Sequence, residues 1–303
     1  MKVVVTGATG FVGRAVVRQL HDHGHVVRIL ARRLESRRVQ ELVSRYGLEA
    51  QAGDVLDGGS LARVFLGADA VIHLVGIISE LSECTFENVH AGGTTNAVAA
   101  ARQAGVARFV HMSALGTRPQ ARSRYHQSKW AAEEVVRRCG MDFTIFRPSL
   151  IFGPEDQFVN RFAGLIRFSP VVPVLGSRTA RFQPVAVESV ARAFVASLAE
   201  PRAFGQTYDL CGPQSFTLAR LLDEILEVMG RRRLKLRVPC VVARGQAAFL
   251  EFVFPRLLGR PAPLNREQLI MLQEDNVGNS EPANQLFGLE PLQFKEGIGY
   301  VKR

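Results

Sequence analysis

The 303-residue sequence predicts an α/β protein built on a doubly wound parallel sheet. Short apolar runs of strand length alternate with runs in which apolar residues recur at helical spacing. A glycine-rich turn at residues 7–13 joins the first strand run to the first helix run. Such alternation produces right-handed βαβ units, which wind into a parallel sheet with helices on both faces.

Six strand runs, most of them apolar, precede residue 150, with helix runs between them. The strands are predicted at KVVVTG (2–7), HVVRIL (25–30), LEAQAGD (48–54), DAVIHLVG (69–76), ARFVHMSA (107–114) and DFTIFRPS (142–149). The intervening helices are predicted at 13–24, 38–47, 60–68 and 88–105, followed by one that carries YHQSK at 125–129. Gly24 and Gly47 end the first two helices, as glycine commonly does.

The pattern loosens after Pro148, where Phe, Pro and Gly become frequent. We therefore expect a nucleotide-binding domain at 1–147 and a C-terminal region at 148–303. Some elements of the second region should pack back on the sheet, and the rest should form a substrate or lid subdomain. Helices are predicted at 187–201 and 217–230, and a basic strand at 231–239.

The apolar fraction of 47% and the charged fraction of 22% are typical of a soluble globular protein. The net charge is +10, and residues 1–50 hold nine Lys or Arg against four Asp or Glu. Nucleic acid is a poor candidate partner because no nucleic-acid-binding motif is present and aromatic residues are rarely interleaved with the basic ones. An anionic cofactor or an anionic membrane surface explains the arginines as well.

The four cysteines are far apart and form no Cys-x-x-Cys pair, which predicts reduced thiols in a reducing compartment. The N-terminus lacks a signal-peptide layout, so we expect a protein that is cytoplasmic or peripheral on the inner face of the membrane. Three histidines in HDHGH (21–25) favour a solvated loop over a metal site, and no metal is expected.

The stretch TGATGFVG (6–13) follows the first strand and opens the first helix. Glycines at a G-x-x-G-x-x-G spacing permit a tight turn and let a pyrophosphate approach the backbone at the positive end of the helix. The strand before and the helix after supply the context that this motif requires. The residues expected to bind the dinucleotide here are Gly7, Thr9, Gly10, Phe11, Val12 and Gly13.

The end of the second predicted strand reads ILARR, without the acid that usually binds the ribose 2′-hydroxyl of NAD. Arg32 and Arg33 suit a 2′-phosphate instead, so we predict NADP(H) over NAD(H). After the third strand, Asp54 is placed to bond the adenine amino group, with Val55 alongside. The alternative for Asp54 is a helix-capping acid.

These motifs, with HLVG, NVHAGGTTN, ARFVHMSA and YHQSK, resemble the short-chain dehydrogenase/reductase superfamily in its extended and atypical branches. The resemblance implies a Rossmann-type sheet. Later stretches, including FRPSLIFGPEDQFVNRF and LNREQLIMLQEDNVG, look like the short-chain-dehydrogenase-type accessory subunit of respiratory complex I and its bacterial relatives. Members of that group bind NADPH without an established reaction, and some are tied to ubiquinone metabolism.

The resemblance assigns roles to three residues. Tyr125 would be the general acid/base, Lys129 would lower its pKa and hold the nicotinamide ribose, and Ser113 would orient the substrate. Helical phase supports the pair, because Tyr125 and Lys129 lie one turn apart on the apolar side of their helix while Glu133 and Glu134 fall outside that stripe. The resemblance adds further cofactor contacts at Leu74, Val75, Gly76, Pro148 and Ile151.

Three functions remain open at this point. The chain is an oxidoreductase, a non-catalytic NADPH-binding structural, assembly or redox-sensing protein, or a nucleotide-sugar epimerase or dehydratase. On the substrate side, Asp156, Asn160 and Arg161 are expected near the cleft mouth, and Arg181 is a weak candidate for a substrate diphosphate. The stretch 239–261 predicts either a helix that covers the pocket or packs on the core, or an amphipathic basic helix at a membrane or partner surface.

Overall fold

The computed structural model describes residues 1–302, which form a central parallel sheet and three short two-stranded sheets. The strands are β1 (Lys2–Thr6), β2 (Val26–Ala31), β3 (Glu49–Ala52), β4 (Ala70–His73), β5 (Arg108–Met112), β6 (Asp142–Pro148), β7 (Ile151–Phe152), β8 (Val171–Val174), β9 (Arg181–Phe182), β10 (Val185–Ala186), β11 (Gln206–Leu210), β12 (Phe216–Thr217) and β13 (Leu234–Arg237).

Helices connect most of these strands and close the C-terminal region. They are α1 (Phe11–Asp22), α2 (Arg37–Tyr46), α3 (Gly58–Phe65), α4 (Gly93–Gln103), α5 (Arg124–Arg137), α6 (Phe158–Phe168), α7 (Val187–Ala196), α8 (Leu218–Val228), α9 (Cys240–Leu258), α10 (Arg266–Met271), α11 (Glu281–Phe287) and α12 (Phe294–Gly297). A π-helical turn at Glu87–Gly92 precedes α4, and 3₁₀ turns lie at Pro201–Ala203 and Gly299–Lys302.

The seven strands of the central sheet are all parallel, in the order β11-β6-β5-β4-β1-β2-β3. Successive side chains of β1 point to opposite faces. Val3 and Val5 pack in a core with α1, α2, α7 and α11, and Val4 packs in a second core with α3, α4 and α5. The predicted Rossmann-type doubly wound fold is therefore confirmed.

The strand order reverses between β1 and β4. From β1 the chain moves outward to β2 and β3, then returns across the sheet to β4, β5 and β6. The connections on the two sides of this point leave in opposite directions, which opens a crevice at the carboxyl ends of the strands. Ligands of open α/β sheets bind in that crevice.

Residues after 147 contribute to the core of the central sheet and also build a third hydrophobic core. Strand β11 extends the central sheet beside β6, and α7 and α11 pack on the same face as α1. The remaining segments build a third core between α6 and α8, to which Phe152, Phe182 and Phe294 belong. Two-residue strands such as β7, β9, β10 and β12 are too short to show a period in sequence, which explains the loosened pattern there.

Within residues 1–302, no helix combines the length and the hydropathy needed to cross a bilayer.

Candidate active site

The glycine loop after β1 is closed by main-chain contacts that only glycine permits. Gly7 has φ +74°, and its carbonyl oxygen accepts a hydrogen bond from the Gly10 amide at 3.0 Å. A β-carbon added at Gly13 would lie 2.2 Å from that same oxygen. The first turn of α1 is thus pressed against the end of β1, as the glycine spacing predicts.

The start of α1 offers an anion site. Gly10 precedes the helix without any side-chain cap, so the amides of the first turn keep free hydrogen-bonding capacity. Exposed Gly10 and partly buried Thr9 line this end, whereas Val12 is a core residue that can present only its main chain. This end of α1 suits a pyrophosphate because no side chain caps its amides and the helix dipole favours negative charge.

The loop after β4 lies between the glycine loop and α5 and is close to both. A β-carbon on Gly7 would lie 3.1 Å from the carbonyl carbon of Leu74 and 3.2 Å from the Val75 amide nitrogen. A β-carbon on Gly76 would lie 3.0 Å from Lys129 Nζ. Residues predicted separately from three segments of sequence therefore meet at one edge of the sheet.

Lys129 is buried, with 2% of its surface exposed. Its ammonium group donates to the carbonyl oxygen of Met112 at 3.0 Å, and burial lowers its pKa to about 8, although Glu133 acts in the opposite direction. A lysine on the inner face of α5 with a main-chain acceptor beside Ser113 matches the orientation that helical phase predicted.

Tyr125 begins α5 and lies among aromatic rings. Its ring centroid is 5.8 Å from Phe86, 5.3 Å from His90 and 5.2 Å from His126, with each pair edge-on. Its hydroxyl makes no hydrogen bond to any of residues 1–302, and burial raises its pKa to about 12. The expectation was a phenol whose pKa is lowered by lysine; in the protein alone, burial prevails and Lys129 is bonded elsewhere.

Ser113 follows β5 and is buried at the junction with β6. Its amide donates to the carbonyl oxygen of Phe146 at 2.8 Å, and its hydroxyl donates to Thr117 Oγ1 at 3.3 Å. The loop carrying Ser113 is further tied to β6 by the Leu115 amide, which donates to the carbonyl oxygen of Pro148 at 2.9 Å. Ser113 and Pro148 are therefore neighbours at the carboxyl edge of the sheet.

Glu133 departs from the sequence interpretation. Helical phase placed it outside the apolar stripe, but it is fully buried and accepts hydrogen bonds from Arg137 and Arg147, both at 2.6 Å. Arg147 comes from β6, so its guanidinium reaches across to the inner side of α5. A buried carboxylate between two guanidinium groups is stable, whereas an unpaired one is not.

His90 is a site residue that the motif reading did not single out. Its Nε2 accepts from the Ile77 amide at 3.0 Å, and its Nδ1 lies 2.8 Å from the hydroxyl of Ser128, which itself donates to the carbonyl oxygen of Tyr125. These partners require the proton on Nδ1. Burial lowers the pKa of His90 to about 2, so the ring is neutral and holds Tyr125, Ser128 and the β4 loop together.

Two more buried histidines lie beneath the site. His73 ends β4 and His111 lies opposite it in β5; their rings stack 5.6 Å apart, and Lys129 is close enough to lower the pKa of both, after burial. His73 Nδ1 is 2.8 Å from Thr6 Oγ1. His73 Nε2 and both nitrogens of His111 have no hydrogen-bond partner among residues 1–302. The signal was present in sequence, as histidine near the end of two adjacent apolar strands.

Of the residues expected at the adenosine end, the two arginines are exposed, whereas Asp54 and Val55 make contacts within the protein. Arg32 and Arg33 follow β2 and are exposed. Asp54 Oδ1 accepts from the Leu56 amide at 3.0 Å, whereas the N-cap of α3 is Asp57, so the capping alternative for Asp54 is wrong. Val55 is a core residue whose carbonyl accepts from Asn96 at 3.0 Å, and it therefore offers little to a ligand.

The substrate-side candidates have mainly structural contacts. Asp156 is buried and accepts from the amides of Gly153 and Val159, which anchors the start of α6. Ile151 lies in β7, paired with Val185 of β10. The guanidinium of Arg181 is bonded to Ser215 at the surface, at 3.1 Å from its hydroxyl. Asp156 therefore stabilises the fold instead of facing the cleft mouth.

Asn160 and Arg161 likewise bond main-chain oxygens, of Asp156 and Pro263 respectively. All four thiols are free, with Cys139 and Cys211 buried and Cys240 exposed. No group of three or more His, Cys, Asp or Glu in residues 1–302 is arranged to hold a metal ion.

Curated proteins similar to this chain include a respiratory-complex subunit and a reductase. NADH dehydrogenase (ubiquinone) 1 alpha subcomplex subunit 9, mitochondrial, from Arabidopsis thaliana is 32% identical over 277 residues, which cover 90% of this chain and 68% of the relative. Ceramide reductase from Caulobacter vibrioides is 34% identical over 237 residues, which cover 78% of this chain and 73% of the relative.

Solved structures share the fold over the whole chain. UDP-glucose 4-epimerase from Thermotoga maritima superposes with a TM-score of 0.77 at 18% identity, covering 100% of this chain and 97% of that one. dTDP-glucose 4,6-dehydratase from Streptomyces venezuelae, solved with NAD bound, gives 0.77 at 20% identity, covering 100% and 96%. The model of the NAD dependent epimerase/dehydratase family matches residues 3–211, and the chain belongs to that family.

Proposed function

We propose that this protein is an NADP(H)-dependent oxidoreductase that reduces a carbonyl group or oxidises the corresponding alcohol. The observation that carries the proposal is the meeting of the glycine loop, Gly76 and Lys129 at the carboxyl edge of the sheet. Tyr125 and Ser113 flank that point from α5 and from the end of β5. These are the residue types needed to bind a dinucleotide and to move a proton beside it.

The dinucleotide would lie across the switch point between β1 and β4. Gly10 and the first turn of α1 would receive the pyrophosphate, and Lys129 would face the ribose next to the nicotinamide. Bound there, the cofactor supplies or accepts a hydride. The chain of contacts from Gly7 to Leu74 and from Gly76 to Lys129 supports a single continuous site.

Tyr125 can act as a proton donor. Its pKa of about 12 keeps the phenol protonated at neutral pH, so it is a proton donor to an oxygen that gains charge. Ser113 would hold that oxygen through its hydroxyl. The ammonium group of Lys129 has three N–H donors, of which the carbonyl oxygen of Met112 takes one.

Arg32 and Arg33 support NADP(H) over NAD(H). They follow β2 directly, at the carboxyl edge, and neither has an acidic partner within residues 1–302. A guanidinium grips a phosphate bidentately, whereas it gains little from a 2′-hydroxyl. Their position at the carboxyl end of β2 supports contact with the adenosine ribose of a bound dinucleotide.

The relatives support two versions of the function. One is named ceramide reductase, which favours turnover on an apolar substrate. The other is a subunit of NADH dehydrogenase (ubiquinone), which favours a cofactor held within an assembly and leaves a quinone-like substrate as a candidate. An epimerase acting on a nucleotide sugar is less supported, because Arg181 is bonded to Ser215.

The second candidate, a non-catalytic NADPH-binding protein, rests on its own observation. Lys129 bonds the main chain at Met112, and the pKa of Tyr125 is raised by burial. In this arrangement the lysine anchors the sheet edge without activating the tyrosine. Such a site would bind the dinucleotide and still give no measurable hydride transfer.

Cofactor preference tests the binding half of the proposal. Native mass spectrometry of freshly purified protein should show retained NADP(H), and titration should show tighter binding of NADPH than of NADH. Arg32→Asp should reverse that order. Arg102→Asp is the matched control, because Arg102 ends α4 at the opposite edge of the sheet. An unchanged ratio in Arg32→Asp would refute the assignment of the 2′-phosphate.

Turnover tests the catalytic half. Panels of aldehydes, ketones, quinones and nucleotide sugars should reveal NADPH oxidation with one carbonyl class. Tyr125→Phe should abolish it while NADPH affinity stays within about twofold, since the phenyl ring preserves the aromatic contacts. Retained cofactor with no hydride transfer in any panel would establish the non-catalytic candidate.

A further inference from the structure

Helix α9 presents its apolar residues to solvent. Ala243 and Ala247 are buried against Leu175, Val238 and Leu264, which fixes the inner side of the helix. On the outer side, Phe249 is 65% exposed and Phe252 is 58% exposed. The helix therefore packs on the core through its alanines and leaves Phe249 and Phe252 exposed.

Five of the exposed residues of α9 share one side of the helix and form the stripe. At about 100° per residue, Val241, Gly245, Phe249, Phe252 and Arg256 fall within roughly 80° of one another, opposite the buried alanines. From residue 241 to 255 the stripe carries no charged side chain. Arg256 ends it, and its guanidinium lies 3.9 Å from the centroid of the Phe252 ring.

The strand before α9 also carries exposed apolar residues. Strand β13 pairs with β8, and Lys235 is bonded to Asp223 of α8 at 2.6 Å. Because side chains alternate along a strand, Leu234 and Leu236 point to the other face, where both are exposed. Phe168, three residues before β8, is 90% exposed. We call the stripe of α9 the apolar surface.

Positive charge is concentrated in the same segment. Residues 231–260 contain eight Lys or Arg and a single acid, Glu251, a balance of +7 within a chain of net charge +10. Glu251 is itself bonded to Arg266 at 2.6 Å. Within residues 1–302, no carboxylate lies within 4.0 Å of the remaining arginines of this segment, which are Arg231, Arg232, Arg233, Arg237, Arg244, Arg256 and Arg260.

The charge decides between possible occupants of the apolar surface. A second copy of this chain in a twofold interface would bring the same surface of each copy together, and with it two segments of balance +7. Like charges in contact are destabilising, so self-association through this surface is disfavoured. A surface that combines apolar groups with dense negative charge in a plane satisfies both features at once.

We infer that the apolar surface binds the anionic face of a lipid bilayer. In this arrangement α9 lies in the plane of the interface, Phe249 and Phe252 enter the acyl boundary, and the flanking arginines contact lipid phosphates. Arginine suits this place because its aliphatic stem tolerates the apolar layer while its guanidinium reaches the headgroups. The inference goes beyond the proposed function and does not depend on nucleotide.

The experiment is flotation of the full chain with vesicles. Protein should float with phosphatidylcholine–phosphatidylglycerol vesicles at low salt, and much less with phosphatidylcholine alone. Flotation should weaken as salt rises, since screening reduces the attraction between the arginines and the lipid phosphates. Replacing both Phe249 and Phe252 by Ser should weaken partitioning at least about tenfold, because two buried aromatic rings are lost.

Two further variants separate the contribution of the apolar side chains from that of the arginines. Leu66→Ser is the matched control, since Leu66 is 69% exposed outside this surface, and flotation should not change. Arg237→Gln with Arg244→Gln and Arg260→Gln should remove the preference for anionic vesicles. Among residues 1–302 none of these three arginines pairs with a carboxylate, so far-UV circular dichroism and thermal unfolding should match the parent.

Three results would overturn the inference. One is absence of flotation at low salt with anionic vesicles. Another is equal flotation of the phenylalanine double variant and the parent. The third is concentration-dependent dimerisation in analytical ultracentrifugation that the double variant abolishes, without vesicle binding, which would assign the surface to a second copy.

Discussion

The ammonium group of Lys129 lies 3.0 Å from the main-chain oxygen of Met112, and Met112 immediately precedes Ser113. This bond ties the inner face of α5 to the end of β5, so the site is rigid before any ligand enters. The bond requires a positive charge to be buried beside a neutral acceptor, which lowers the stability of the protein. This loss of stability can be measured.

Lys129→Met should raise the stability of the nucleotide-free protein by about 1–2 kcal/mol, because a buried ammonium is replaced by an apolar chain of similar length. NADPH affinity should fall in the same variant. The folded-state pKa of Lys129, about 8, lies below its ordinary value of 10.5, so the parent gains stability as pH rises from about 8 to 10.5. The advantage of the variant should therefore shrink over that interval.

Denaturant unfolding at pH 7 and pH 9.5 measures this difference. Lys235→Met is the control: Lys235 forms an exposed pair with Asp223, and such pairs contribute less than about 1 kcal/mol. A Lys129→Met protein less stable than the parent at pH 7 would mean that the Met112 bond outweighs the burial of charge.

Replacing His111 by an apolar residue should stabilise the protein. Both of its ring nitrogens are buried without a partner among residues 1–302, and an unsatisfied buried polar group costs about 1–3 kcal/mol. His111→Leu should therefore raise the free energy of unfolding by about 1 kcal/mol. Urea denaturation followed by circular dichroism measures it.

His73→Leu is the matched contrast, because His73 stacks on His111 but also bonds Thr6 at 2.8 Å. It should be destabilising, since the buried hydroxyl of Thr6 loses its partner. If both variants lose stability to the same extent, packing of the two rings outweighs their hydrogen bonding.

Stability should fall as pH is lowered from 6.5 towards 5. Burial lowers the pKa of His73 to about 3, of His90 to about 2, of His126 to about 4, and of His111 well below 6.5. The unfolded chain binds protons at these rings below pH 6.5 and the folded chain does not, so protonation favours unfolding. Each ring contributes up to about 1.4 kcal/mol per pH unit.

Guanidinium unfolding midpoints at pH 6.5, 6.0, 5.5 and 5.0 test this sign. The stability of His111→Leu should depend less steeply on pH than that of the parent, because the variant lacks the contribution of one buried histidine. A stability that is flat between pH 6.5 and 5 would contradict the burial of neutral histidines at this site.

Gly13→Ala should destabilise the protein by about 3 kcal/mol or more, or prevent folding. The added β-carbon would lie 2.2 Å from the carbonyl oxygen of Gly7 and 2.6 Å from the α-carbon of Ala8, and both atoms belong to the main chain. Gly164→Ala is the control, since Gly164 lies within α6 with nothing within 4 Å of the added atom. That change should stabilise α6 by roughly 0.5–1 kcal/mol.

Thermal unfolding of the two glycine variants compares them directly. A tolerated Gly13→Ala would show that α1 can move away from β1, and the anion site at Gly10 would then be less rigid than the contacts indicate.

Gly7 was assigned from the glycine motif, whereas Gly76, Ser113 and Pro148 were assigned from the family resemblance. All four lie near one edge of the sheet, because residues at the carboxyl ends of parallel strands must meet there. The hydrogen-bond partners could not be grouped in that way. His90 was hidden in NVHAGGTTN because a π-helical turn, which changes the helical phase, places it beside Tyr125.

Local sequence determined the Rossmann-type sheet, the glycine loop and the inner orientation of Lys129, because strand alternation, helical phase and glycine geometry act over a few residues. Tertiary structure decided what surrounds them. Arg147 of β6 makes Glu133 a buried ion pair, and Asp57 caps α3 in place of Asp54. Tertiary packing also leaves Phe249 exposed, because the small side chains of Ala243 and Ala247 occupy the side of α9 that lies against the core. Such outcomes depend on partners distant in sequence, which no local pattern contains.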